Sequence, residues 1–307
     1  MPGFFMERVR RQLEVPDDTI DGNGVTIAVL DSGISRHPDL RGKILCFQDF
    51  VGKRNLMYDD NGHGTHVCGI LCGSGELSNR RYQGMAPASM LVVGKILDAK
   101  GDGCLEHLLE ALEWIEKNRE MYHIRIINIS VGIGNSLSQD RECLLQKKLE
   151  ELWDCGVLVV CAAGNKGPAN NSISSVGGCG KILTVGCHDG SYCRDNPNRC
   201  ETYSGRGDAG AYLRKPDLVA PGTDIISCNA EYANAQSVLK KKRPYIAKSG
   251  TSMATPIVTG AAALALQKYP DMTNEELKQK ITITAMDLNE PWNKQGWGMV
   301  NVRRLLS

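Results

Sequence analysis

No stretch of this chain approaches the ~20 consecutive apolar residues that a membrane-spanning helix needs. The charges nearly cancel, at +1 overall with 23% charged residues. The first absence excludes a transmembrane helix. The second removes the electrostatic case for binding nucleic acid or an anionic membrane surface. The basic run from Lys240 to Arg243 is short, and it reads as a solvated loop. Pro/Ser-rich linkers, internal repeats and low-complexity tracts are also missing. Nothing therefore divides the 307 residues, a length that one α/β domain can reach. The N-terminus carries Arg8, Arg10 and Arg11 but no apolar run of export-signal length, which predicts a cytoplasmic protein, with a trimmed secreted one as the alternative.

Cysteine is plentiful by contrast. In a protein without an export signal, the 12 cysteines are expected to be reduced thiols. Cys68, Cys72 and Cys161 fall in segments expected to be buried, where a free thiol behaves as a small hydrophobe. Cys179, Cys187, Cys193 and Cys200 cluster with His188, but their spacing lacks the close CxxC pairs of common zinc sites. A loop insertion with free thiols is the expectation there, with zinc as the alternative.

Apolar strand-like runs alternate with amphipathic segments, the pattern of βα units and a parallel sheet. Strands are expected at Val25–Leu30, Met90–Ile96, Ile124–Ile129, Val157–Ala162 and Ile182–Val185. Helices are expected at Gly64–Gly73, Leu105–Asn118, Arg141–Cys155, Thr251–Lys268 and Asn274–Thr284. The last of these opens with Thr273 and Glu276 at capping-box spacing. Right-handed crossovers place helices on both faces of the sheet. The predicted class is α/β, a single-domain three-layer αβα sandwich with a largely parallel central sheet.

Three segments carry chemistry. Lys248 to Pro256 places Ser252 after Gly250 and before a run of small residues that opens an apolar helix. Gly250 admits a close backbone, Ala254 leaves room, and a helix N-terminus favours developing negative charge. Taken alone, a helix cap explains this serine about as well as a nucleophile does. Val25 to Ile34 is a buried-strand run ending in Asp31-Ser32-Gly33, at the carboxyl end where α/β sheets collect their chemistry. A turn former would account for Asp31 in isolation. Asp59 to Ile70 sets His63 between two glycines at a helix start, with His66 one turn on. A zincin pairing would need i, i+4 histidines with an intervening glutamate, and both are absent.

In the order Asp31, His63, Ser252, these motifs resemble those of the subtilisin-like serine peptidases, a family known for that chain order. Val159 to Asn165 is similar to the segment in which the family carries its oxyanion-hole asparagine. The resemblance runs from about Gly24 to Leu306, so residues 1–23 read as an N-terminal extension and 24–307 as the catalytic domain. It implies a serine endopeptidase with Ser252 as nucleophile, His63 as base, Asp31 as its orienter and Asn165 as oxyanion donor. The chain looks closer to intracellular bacterial members than to secreted ones.

The resemblance also implies a polypeptide substrate bound as an extended strand between Ser130-Val131-Gly132 and the Gly101–Gly103 segment. Leu105 and Leu108 would line a hydrophobic pocket four residues before the cut. Ser130–Gly132, Ala162, Ala163, Gly164 and residues near Ser174 would form the primary pocket. Lys166 at its mouth would disfavour lysine or arginine immediately before the scissile bond. No cofactor is required and no metal ligand is assigned. The loop that binds the tight calcium of secreted relatives is replaced by Gly73–Gly84, which includes Arg80 and Arg81; weaker sites built from carbonyls stay open. Oligomerisation is left open as well. The competing functions are a non-catalytic scaffold on the same fold, a protease dedicated to one precursor, and an esterase, the last weakened by the missing GxSxG elbow. Residues 1–16 are expected over or near the substrate cleft, with a packed or disordered tail as the alternative.

Overall fold

The computed structural model describes residues 6–16, 19–132, 137–190, 199–208, 210, 212–234 and 242–307. Seven strands form one parallel sheet: β1 (Thr26–Asp31), β2 (Ile44–Asp49), β3 (Met90–Lys95), β4 (Ile124–Ile129), β5 (Leu158–Ala162), β6 (Leu183–Cys187) and β7 (Leu218–Ala220). Their order across the sheet is β2-β3-β1-β4-β5-β6-β7. Successive side chains on a strand point to opposite faces. Ile27, Val29, Leu91, Val93, Leu158 and Val160 accordingly enter one apolar layer. Ala28, Leu30, Val92, Ile127, Ile129, Val159 and Cys161 enter the other. Burial on both faces is why these strands read as continuous apolar runs.

The helices are α1 (Met6–Gln12), α2 (His63–Cys72), α3 (Leu105–Asn118), α4 (Gln139–Asp154), α5 (Ala230–Asn234), α6 (Thr251–Lys268), α7 (Asn274–Ile283), α8 (Trp292–Gln295) and α9 (Val302–Leu305). α2 and α6 pack together over the first layer, and α3 and α4 over the second. The three-layer sandwich is therefore as expected, and α3 and α6 occupy their predicted spans. Thr273 and Glu276 form the expected capping box on α7. Four strands escaped prediction. β2 is half-buried at the sheet edge, β7 has three residues, and β8 (Ile225–Cys228) pairs with β9 (Tyr245–Lys248) in a separate antiparallel ribbon. No described helix is long and apolar enough to cross a membrane.

β1 is flanked by β3 on one side and β4 on the other, so the chain leaves it in opposite directions. A crevice opens at such a switch point, beyond the carboxyl end of the strand. Asp31 is the last residue of that strand. α2 and α6 also start at this edge of the sheet, His63 bonded to Asp31 at the end of β1 and Thr251 to Asn165 just after β5, and the two helices pack together on one face.

Two expectations change. Residues 6–16 do not cover the crevice. Met6 and Val9 are fully buried in the same cluster as Ile27, Arg10 donates to the carbonyls of Gly84 and Met85, and the Val302 N–H donates to Leu13 O. An amphipathic turn with two apolar anchors has more to gain in the core than over a polar cleft. Residues 1–5, including Phe4 and Phe5, lie outside the described residues.

Cys187 and Cys200 are joined in a disulfide rather than free, with Cα atoms 5.5 Å apart, inside the range a disulfide spans. Cys179 lies in the opposite apolar layer and Cys193 lies outside the described residues, so the four-cysteine cluster is not assembled among them. Cys68, Cys72 and Cys161 are free and buried, as expected.

His66 closes the space between α2 and the ribbon. Its Nε2 sits 3.0 Å from both Ile225 O and Ile246 O. Burial, reinforced by the positive charge of Lys248, pushes its pKa down to about 3. The unfolded chain thus binds a proton near pH 6.5 that the folded chain refuses. Stability contributed by neutral His66 is complete above pH 6.5 and is lost as pH falls toward 3. His66→Gln should therefore lower stability at pH 7 yet flatten its decline between pH 6.5 and 4, measured as the urea midpoint against pH.

Candidate active site

The Asp31 carboxylate is fully buried, and its Oδ1 lies 2.7 Å from His63 Nδ1. The same oxygen accepts the Ser32 N–H at 2.7 Å. Burial alone would lower the His63 pKa, but the charge and hydrogen bond of Asp31 outweigh it, so the imidazole titrates above its ordinary value. Lys248 works in the opposite direction and Asp59 with Asp31. The partner at Nδ1 places the reactive lone pair of the neutral ring at Nε2.

Two glycines permit this contact. A Cβ on Gly64 would fall 2.2 Å from Gly33 O and 3.2 Å from the Asp31 Cβ. Gly33 has φ +112, and a Cβ there would meet Tyr58 O at 2.2 Å. The start of α2 is thereby pressed against the end of β1 with no side chain between them.

Ser252 is the second residue of α6 and is partly exposed. The first turn of α6 is fastened to the loop after β5. Asn165 Oδ1 accepts from Thr251 N–H (2.9 Å) and from Thr251 Oγ1 (3.0 Å). The Thr251 backbone can only donate, so the atom it meets is the amide oxygen, and Nδ2 is left as the donor end of Asn165. Gly250, at φ +150, lies beside that donor: a Cβ there would come within 3.1 Å of Nδ2. Pro256 supplies no N–H to the Ser252 carbonyl four residues back, which loosens the helix ladder at this turn.

Ala163 and Gly164 continue from the carboxyl end of β5, and Ser174 packs onto them. The Ser174 N–H donates to Ala163 O (2.8 Å) and its hydroxyl to Ala162 O (2.9 Å). Two of the segments expected to form the primary pocket, Ala162–Gly164 and Ser174, thus lie together. Ser130 and Val131 are buried at the end of β4, and Gly132 is exposed with open space around its Cα. Gly101 and Gly103 lie in a turn capped by Asp98, whose Oδ1 accepts from the N–H groups of Lys100 and Asp102. Leu105 is 3% exposed and Leu108 0%. Core packing beneath α3 accounts for both, and Leu108 offers no surface to a ligand. Lys166 is exposed.

Three supporting residues went unread in the sequence. Asp59 is buried and accepts from Ser32 Oγ (2.9 Å), Gly62 N–H (2.7 Å) and both the N–H and hydroxyl of Thr65. Burial would raise its pKa, but these donors hold it low and keep the carboxylate charged near His63. Thr251 orients Asn165, as described above. Lys95, buried beside Asp31 in the β1–β3 register, donates to Ser32 O, Leu97 O and Asp60 Oδ1, each at 2.7 Å. Its only sequence signal was a charge at the end of an apolar strand. Gly64→Ala should lower kcat/KM at least about tenfold, or ~1.4 kcal/mol in the barrier. The fold should persist, which thermal melting of the same sample can check.

The sequence profile of the subtilase family matches residues 22–298. The chain is 40% identical over 293 residues to serine protease AprX of Bacillus subtilis, covering 92% of this chain and 66% of that protein. It is 36% identical over 283 residues to subtilisin Savinase of Lederbergia lenta, covering 92% of this chain and 90% of that one. Among solved structures, sphericase superposes with a TM-score of 0.79 at 26% identity, covering 97% of each chain. A cold-adapted subtilisin-like serine proteinase superposes at 0.72 and 28% identity, covering 93% of this chain and 89% of that one. With Asp31, His63 and the start of α6 gathered at one edge of the sheet, and the profile matched over nearly the whole chain, this protein belongs to the subtilase family of serine peptidases.

Proposed function

We propose that this chain is an endopeptidase in which Ser252 attacks the scissile carbonyl of a polypeptide. The observation that carries the reading is the 2.7 Å Asp31–His63 contact at the head of α2, a helix that packs against α6, whose first turn presents Ser252. A serine hydroxyl is a weak nucleophile until a base removes its proton. His63 Nε2 takes that proton as the tetrahedral adduct forms, and returns it to the departing amine as the peptide C–N bond breaks. Asp31 holds the imidazole through Nδ1 and stabilises the imidazolium. Water then repeats the attack on the acyl-serine, restoring Ser252 and releasing the new carboxylate. The oxyanion receives hydrogen bonds from Asn165 Nδ2 and the Ser252 N–H at the positive end of α6.

The substrate adds as an extended strand between Ser130–Gly132 and Gly101–Gly103, by main-chain hydrogen bonding. Lys166 at the exposed rim disfavours a basic residue before the cut. All of this chemistry is supplied by side chains and backbone, with no cofactor called on. We place the activity in the cytoplasm, a reading supported by nine free cysteines among the described residues and opposed by the single disulfide.

Ser252→Ala should leave the fold intact and remove peptide hydrolysis together with labelling by a serine-directed fluorophosphonate. Wild-type protein that resists the probe would favour the non-catalytic scaffold instead.

The pH profile offers a second test. Hydrolysis should fall on acidification as His63 gains a proton, with a midpoint above the ordinary histidine value because Asp31 raises the pKa. Lys248 opposes the imidazolium, so Lys248→Met should move the acid limb of kcat/KM to higher pH. A shift to lower pH, or none, would contradict the assignment.

A further inference from the structure

We infer a zinc-class metal site built from His37, Asp39 and Cys228, separate from the catalytic residues. One ligand atom from each lies within 4.8 Å of the others, and all three residues are buried. A tetrahedral zinc with bonds of about 2.0–2.3 Å needs ligand separations of roughly 3.3–3.8 Å. The three groups therefore need to close by no more than about 1–1.5 Å, within reach of side-chain adjustment.

The surroundings are arranged as a metal's outer shell would be. His37 Nε2 meets Pro244 O at 2.8 Å, so its N–H is engaged by a carbonyl. That fixes the tautomer and leaves the lone pair on Nδ1, which accepts the Asp39 N–H at a long 3.2 Å and would exchange that bond for the ion. Asp39 Oδ2 is held by the Tyr245 hydroxyl (2.8 Å) and the Gly75 N–H (3.1 Å). Oδ1 accepts only a 3.3 Å bond from Leu77 and is the oxygen available to an ion.

Charge supports a divalent ion. One thiolate and one carboxylate cancel a 2+ charge, so the filled site is neutral, the condition under which ions are tolerated in an interior. Cys228 is a free, buried cysteine, and an ordinary thiol carries its proton at neutral pH. Binding then breaks the S–H bond, forms the metal–sulfur bond and releases one proton to solvent. A mixed sulfur, nitrogen and oxygen donor set selects zinc-like ions over calcium or magnesium. The other three-residue grouping, Cys187, Asp189 and Cys200, commits its two sulfurs to each other.

The ion would tie two segments directly and hold a third, the loop after α2, through the Gly75 N–H bond to Asp39. The two are the Pro38–Leu40 turn and the β8–β9 ribbon, which leads through Ser249 and Gly250 to Ser252. Cys228 Sγ also lies against Gly69 of α2, 2.7 Å from where a Cβ would stand.

The test is titration of the full-length protein with Co2+ and Zn2+ after chelation. We expect one equivalent bound, a cobalt–thiolate charge-transfer band, about one proton released by calorimetry in two buffers, and a higher Tm. Cys228→Ser and His37→Gln should each lose the band and weaken binding at least about tenfold. Zinc X-ray absorption on wild-type protein, which does not depend on any variant folding, should show one sulfur among nitrogen and oxygen neighbours. No binding, two or more sulfurs, or a band that persists in Cys228→Ser would overturn the site.

Discussion

The contact between Asp31 and His63 depends on the end of a buried strand and the start of a helix coming closer than side chains normally allow. A carboxylate with no solvent exposure is costly unless it is paired and hydrogen-bonded. Asp31 meets that requirement at Oδ1, with the imidazole and the Ser32 N–H, while Oδ2 is buried with no hydrogen-bond partner among the described residues. The geometry then propagates outward. Ser32 Oγ donates to Asp59 and accepts from Gly64 N–H, so the strand-end turn, the α2 N-terminus and the preceding loop form one hydrogen-bonded unit. Lys95 fastens the same turn from the neighbouring strand. Removing any member leaves a buried polar group without its partner.

The second half of the site is coupled less tightly. Asn165 and Thr251 lock the loop after β5 to the first turn of α6, and Gly164 N–H reaches Thr251 Oγ1 at 3.2 Å. Deeper in, Thr259 of α6 donates to Asn128 Oδ1 on β4, and Asn128 Nδ2 donates to Ser130 Oγ. This buried polar chain runs from the helix that carries Ser252 to the strand end proposed to hold substrate. Elsewhere α6 is packed by small residues: Gly260 accommodates Met85 so closely that a Cβ would stand 2.3 Å from the Met85 Cβ. The helix is held by shape along its length and by hydrogen bonds at Thr251 near its start, at Thr259 in its middle and at Gln267 near its end, where the side-chain oxygen accepts from the Asp21 and Gly22 N–H groups.

Most of the fold was legible because parallel strands buried on both faces announce themselves as apolar runs, and α3 and α6 carry long uninterrupted patterns. Edge strand β2 and the three-residue β7 lack that signal, since half-buried or very short strands have no period to read. α1 was missed because only Met6 and Val9 of its turns are anchors. The disulfide was missed because pairing depends on Cα separation, which spacing along the chain does not give.

Asp31, His63, Ser252 and Asn165 could be named because their motifs together resemble those of the subtilisin-like peptidases; the glycines and small residues around Asp31, His63 and Ser252, taken motif by motif, fit turns and caps as well. Nothing local marks Asp59, Thr251 or Lys95 as support, since each acts on a partner 27 to 86 residues away and hydrogen-bond geometry exists only after folding. Leu108 went the other way: its sequence position suggested a pocket, and packing put it wholly in the core. The sequence by itself determined which side chains could react and which runs would be buried. The tertiary structure alone decided which oxygen, nitrogen and proton face one another, because those distances are set by how β1, β5, α2 and α6 meet at one edge of the sheet.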